Sequence, residues 1–325
     1  MHKDATDALL TGRPRSWFGP CPPCCFRWCS LRKIMTNSFI ALLVIVAVIP
    51  LWAPGAAAIA YGEDTPDGDY RFSVLLTATG LPTPGGGTRD SWCSGALIAP
   101  RWVITAGHCF RDVNGQRVGR TVARRTTATI GRTDLRGRDG QEIEVVAVRQ
   151  ADTADVALAE LRTAVTGIAP LKIGTGPPAV GETLRLTGYG LSTGGGPIVP
   201  TTRLQTGQFI VVAIGDTLIE TSGQAPRQDT SPCPHDSGGP YFRDRPGRTR
   251  ELVALVSTGP PCPHRGPDFS TRTDNLHAWI TGTMAETSDK SRAGGGALLL
   301  LVACVSLLAL LLLLASRRTG DRRRR

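Results

Sequence analysis

The chain has 325 residues, with 37 Lys/Arg against 27 Asp/Glu, a formal charge of +10 and nine cysteines. That length accommodates one large domain or two modest ones. The charge alone suggests a nucleic-acid binder. However, residues 1–58 and 316–325 each hold six Lys/Arg, leaving 25 basic and 24 acidic residues in between, so the near-neutral body argues against a nucleic-acid partner.

At the N-terminal end, FIALLVIVAVI (Phe39–Ile49) follows Arg32 and Lys33 and precedes APGAAA (Ala53–Ala58). A basic stretch, a short apolar core and small residues form the pattern of a secretory signal. Residues 1–58 are therefore expected to be a signal region, with translation starting at Met1 or at Met35. Cys21, Cys24, Cys25 and Cys29 within it receive no function. Export permits disulfides. The body holds Cys93, Cys109, Cys233 and Cys262, whose pairing the sequence leaves open, and it has no CxxC pair of the kind zinc sites favour.

From about residue 70 to 270 short branched apolar runs alternate with Gly, Pro, Asp and Thr. RFSVLLTA, SGALIAP, RWVITA, EIEVVAVR, VALAEL, ETLRLTGYG, QTGQFIVVAI and ELVALVS read as strands. No long amphipathic helix separates them, so an antiparallel all-β body is expected rather than a parallel sheet with crossovers. One helix is expected over Thr273–Met284, with Leu276, Trp279 and Ile280 on one docking face.

Three stretches carry chemistry. In WCSGALIAPRWVITAGHCF (Trp92–Phe110), His108 follows a buried-looking strand and sits beside Cys109. In ADTADVALAEL, Asp155 directly precedes an apolar strand, whereas Asp152 lies three residues further from it and reads as solvated. In SPCPHDSGGPYF (Ser231–Phe242), a run too polar and glycine-rich for a core strand reads as a sharply bent loop presenting Ser237. A serine nucleophile needs an imidazole base, and the imidazole needs a carboxylate to set its tautomer.

Beyond the body, TSDKSRAGGG (Thr287–Gly296) reads as flexible chain, and residues 285–296 are assigned as a stem from which the body is either held or shed. Residues 297–315 carry no charge and would rise about 28 Å as a helix, enough to span a bilayer. The arginine-rich tail, 316–325, favours the cytoplasmic side. An exported body held by one C-terminal membrane helix is the expected topology.

TAGHC, DVAL and DSGGP, in that order and with these four cysteines, resemble the motifs of trypsin-like serine proteases of the chymotrypsin family. The resemblance runs from about 59 to 282, within a protease domain taken as 59–284. It implies two packed antiparallel six-stranded β-barrels with a C-terminal helix, and disulfides Cys93–Cys109 and Cys233–Cys262. It makes His108 the base, Asp155 its partner and Ser237 the nucleophile, with the N–H groups of His235 and Ser237 as the oxyanion hole. Ile59-Ala60-Tyr61-Gly62 resembles the family's mature start, so signal cleavage after Ala58 would free an Ile59 amine to pair with Asp236; cleavage after Ala57 is also permitted.

The resemblance further assigns Ser231 to the base of the substrate pocket, Asp268 to its wall, and Ser257, Thr258 and Gly259 to the strand that pairs with extended substrate. Four positions depart from the family. His235 stands where glycine is usual, Ser231 where trypsin has aspartate, Asp268 where glycine is usual, and Thr258 where tryptophan is usual. The expected function is a monomeric, cofactor-independent serine endopeptidase acting on peptides or proteins at the cell surface, of the bacterial secreted type that the Arg/Ala/Gly-rich composition suits. The second reading is a weak or inactive protease-like domain serving as a surface binding module. An esterase of another fold is disfavoured, because G-x-S-x-G and the order Ser, Asp, His are both absent.

Overall fold

Threonine, valine and leucine alternate or cluster through most of the body, and such side chains suit a pleated, half-buried surface. The computed structural model describes residues 58–192 and 199–286, and these form two closed β-barrels. The first is built from β1 (Ser73–Pro82), β2 (Thr88–Ala99), β3 (Trp102–Thr105), β4 (Arg125–Ile130), β5 (Gln141–Gln150) and β6 (Ala157–Leu161). Its strand order is β1-β2-β3-β6-β5-β4, closed by the antiparallel β1–β4 pairing. The second uses β7 (Thr183–Gly188), β8 (Gln205–Ile214), β9 (Leu218–Ala225), β10 (Pro240–Arg243), β11 (Glu251–Thr258) and β12 (Pro267–Arg272). Its order, β7-β8-β9-β12-β11-β10 with β7 returning to β10, repeats the first. The two six-stranded barrels therefore match the expected architecture.

Burial follows the pleat. In β5 the inward Ile143, Val145 and Val148 are buried between more exposed neighbours, whereas the whole of β3 and β6 is buried. One apolar cluster fills the first barrel and continues through Tyr189, Phe242 and Leu255 of the second half to Leu276 and Ile280. A second cluster, with Ile59, Phe209, Val211 and Tyr241, fills the second barrel. The chain is helical over 277–286 after a short turn at Asp274–Leu276, and Leu276 and Ile280 dock on the core as expected, with Trp279 partly buried beside them. No helix among the described residues is long and apolar enough to cross a membrane. The expected signal core, membrane helix (297–315) and basic tail lie outside the described residues, as do residues 287–296 of the stem.

Candidate active site

Strand pairing brings His108 and Asp155 together. Thr105, the last residue of β3, lies opposite Ala157, the first of β6. A residue three past the end of one strand and a residue two before the start of the other therefore reach the same barrel rim. A tight turn, Gly107–Cys109, follows β3 and carries the imidazole. Asp155 Oδ2 lies 2.7 Å from His108 Nδ1, and Oδ1 accepts the His108 backbone N–H at 2.8 Å. Ser257, on β11 of the other barrel, donates its hydroxyl to Asp155 Oδ2 at 2.7 Å. Asp152 is exposed, as the sequence suggests.

Ser237 stands on a loop pinned to both barrels. Its carbonyl accepts from Ser94 N–H of β2 at 3.0 Å, while Gly238 N–H donates to Val256 O of β11 at 2.8 Å. Gly238 has φ +79°, and a Cβ there would lie 2.1 Å from Thr105 Oγ1, so only glycine fits. Cys93–Cys109 and Cys233–Cys262 are both bonded, with Cα separations of 6.3 and 5.3 Å. The first braces the His108 turn against β2; the second ties the Ser237 loop to the chain after β11. Ser237 and His108 line one cleft of about 410 Å³. Among the described hydrogen bonds the ring is held by Asp155, and none joins it to Ser237, a contact that often tightens only with substrate present.

The carboxylates at the site differ sharply. Burial pushes Asp155 up, but the bonds from His108 and Ser257 outweigh it and hold this carboxyl at about 2. Asp155 is thus an anion suited to orient an imidazole. Asp236 is fully buried and pushed up to about 8 by that burial, despite accepting from the Cys233 and Gly190 amides at 2.9 Å each. Its two oxygens occupy the space beside Gly188 and Gly190, where a Cβ would come within 2.1 and 2.5 Å. That is the physical reason for the Gly-Tyr-Gly sequence at this point. Ile59 is buried in the second barrel's core, and Ala60 pairs with Ser231. In the continuous chain the Ile59 nitrogen is an amide, so it brings no cation to Asp236.

His235 takes φ +76°, a left-handed conformation costly for a residue with a Cβ. Its ring stacks on Trp92 with centroids 3.7 Å apart, and its Nδ1 lies 2.7 Å from Trp92 O. Ser94 Oγ donates to the His235 carbonyl at 3.1 Å. These contacts hold the left-handed turn that glycine would reach unaided. Burial lowers the His235 imidazole below its ordinary range.

In the second barrel Ser231 is buried, and its hydroxyl accepts from His264 N–H at 3.2 Å. The Asp268 side chain is 5% exposed; its Oδ1 lies 3.2 Å from His264 Nε2 and its Oδ2 has no partner. Burial raises this carboxyl to about 7, with His264 acting in the opposite sense. Asp268 Oδ1 fills the space beside Gly259, where a Cβ would lie 2.0 Å away. A second open cleft of about 510 Å³ runs along Ser257 and Thr258 past His108. Sequence reasoning missed His264, Trp92, Gln150 and Arg117. The first had a signal, since Pro-Cys-Pro-His occurs at 232–235 and again at 261–264. Gln150 Nε2 donates to the Gly107 carbonyl at 2.9 Å and Arg117 lies 3.9 Å from Asp155, contacts with no local motif. Among the described residues no cluster of His, Cys, Asp and Glu is suited to a metal ion.

The Trypsin family model matches residues 59–280. Serine protease 56 of Mus musculus is 26% identical over 69% of this chain, which spans 38% of that protein's length. Trypsin epsilon of Drosophila erecta is 27% identical over 60% of the chain and 78% of its own length. These relatives are animal proteins and lend no support to a bacterial source. Among solved structures, mouse neuropsin, described as a serine protease, superposes with a TM-score of 0.55 at 21% identity, covering 70% of this chain and 100% of its own. At that identity the likeness bears on the fold.

Proposed function

The chain belongs to the trypsin family, and on that premise we propose that it is an exported serine endopeptidase whose triad is His108, Asp155 and Ser237. The observation carrying this reading is the anionic Asp155, held by two bonds from His108 and one from Ser257. In the proposed reaction Ser237 Oγ attacks the peptide carbonyl carbon and its proton passes to His108. The imidazolium is stabilised by Asp155 and then protonates the departing amine, leaving an acyl-enzyme. Water repeats the sequence and regenerates the serine. The backbone N–H groups of Ser237 and His235 face the developing oxyanion in this scheme.

Ser257, Thr258 and Gly259 are assigned to the acyl side of the substrate, and Ser231 and Asp268 to its pocket. The unpartnered, buried Asp268 Oδ2 supports an Arg or Lys side chain before the scissile bond, which would supply the missing cation. Cleavage profiling with a peptide library tests this: no gain from Arg or Lys there discards the role of Asp268. The Ile59 amine is assigned to Asp236 after cleavage at Ala58. The uncharged run 297–315 supports attachment to a membrane, to be tested by extraction of the full chain with alkaline carbonate.

A fluorophosphonate probe tests the central claim. Labelling of the exported protein that disappears in Ser237→Ala supports the hydrolase. Absence of labelling in a folded sample favours the alternative, a protease-like binding module.

A further inference from the structure

His108 borders two clefts. One runs along Ser257 and Thr258, the strand assigned to the acyl side. The other, about 410 Å³, extends past the Cys93–Cys109 bridge and the Trp92–His235 stack. It therefore lies on the side from which the amine departs. We propose that this second cleft is a recognition site for an acidic side chain within the first two residues after the scissile bond. The inference rests on the triad proposed above.

Charge carries it. Arg89, from the β1–β2 hairpin, and Arg111, from the loop after His108, both line this cleft and are exposed; Arg111 stands between the two clefts and borders both, whereas Arg89 borders this one alone. Among the described residues neither guanidinium has a hydrogen-bond or ion-pair partner. Many arginines elsewhere in the body are matched: Arg136 with Asp134, Arg243 with Glu182, Arg272 with Asp274. Arg124 stands behind the same hairpin, its side chain against Gly80. The lining contains one carboxylate, Asp112, whose Oδ1 already accepts from the Asn114 and Gln116 amides. Asp90 at the hairpin is likewise bonded to the Gly80 amide. Among the described residues, a substrate carboxylate would meet two guanidiniums that hold no ion pair, against the single carboxylate of Asp112 in the lining.

Acyl transfer isolates this side. The acyl-enzyme ester on Ser237 is attacked by the free amine of an acceptor peptide; the ester C–O bond breaks, a peptide bond forms, and the amine proton returns to Ser237 through His108. With an N-acylated amino-acid thiobenzyl ester as donor, the acceptors are the amides of Leu-Asp, Leu-Asn, Leu-Lys, Asp-Leu and Asn-Leu. The ratio of acidic to neutral acceptor is expected to be roughly three to ten, the range of one or two exposed ion pairs. It should collapse toward one in R89Q/R111Q and at about 1 M salt. Ester turnover without acidic preference overturns the proposal while leaving the protease reading intact. If no ester is turned over, the protease reading fails, and the cleft is tested directly by anisotropy with labelled Leu-Asp and Leu-Asn peptides on Ser237→Ala. Equal binding then overturns the cleft assignment as well.

Discussion

His235 shows how a single side chain offsets a poor backbone. The left-handed conformation costs a non-glycine residue about 1–2 kcal/mol, whereas an aromatic stack contributes about 0.5–1.5 kcal/mol. The two nearly cancel. His235→Gly is therefore expected to change stability by less than about 1 kcal/mol, since it removes strain and stack together. His235→Ala keeps the strain and loses the ring, so it should destabilise by about 1–2 kcal/mol in urea unfolding. Equal losses in both variants would show that the Trp92 stack is not what holds the turn. At this scale the candidate site was largely legible: His108, Asp155 and Ser237 each adjoin an apolar strand or a glycine bend. Arg117, Gln150 and His264 were not, because their roles depend on neighbours 38, 43 and four residues away, with Asp155, Gly107 and Asp268 as partners.

Strands follow the same logic. Those rich in Val, Ile and Leu, such as β3, β6 and β11, read clearly as apolar runs. Four others did not. β4 (RTTATI) and β9 (LIETSGQA) are half polar, while β10 (PYFR) and β12 (PDFSTR) open on proline, a residue that more often marks a break. They are strands because partners on both sides supply their hydrogen bonds, as β7 and β11 do for β10. The end of β7 meets the Ser237 loop at Gly188, where a Cβ would overlap Asp236 Oδ1 at 2.1 Å. Gly188→Ala is expected to destabilise the fold by roughly 3 kcal/mol and to cut kcat/KM at least about tenfold, the loss of 1.4 kcal/mol of transition-state stabilisation. If the cause is the overlap, Asp236→Ala in the same chain should cost much less than the sum of the two singles. Full additivity would place the damage in β7 itself.

At the scale of the molecule, both barrels share one strand order although their sequences show no repeat, because the order is set by antiparallel neighbours rather than by residue identity. The candidate site then draws residues from both barrels, and Asp236 lies buried on the second half. Its carboxyl titrates near 8 in the folded chain and in the ordinary carboxylate range when unfolded. The folded state therefore binds a proton that the unfolded state has released. Between about pH 4 and 8 this group makes stability fall as pH rises. Cleavage at Ala58 would give the Ile59 ammonium as a partner, holding Asp236 ionised and removing that fall until the amine itself deprotonates. Urea unfolding of two forms, one beginning at Ile59 and one extended by Ala57-Ala58, should diverge over this range. The extended form weakens toward pH 8, and Asp236→Asn flattens its profile. In the Ile59 form the same substitution lowers stability most near neutral pH. If the two forms give superimposable profiles, the Ile59–Asp236 pair does not form, and activation by signal cleavage falls with it.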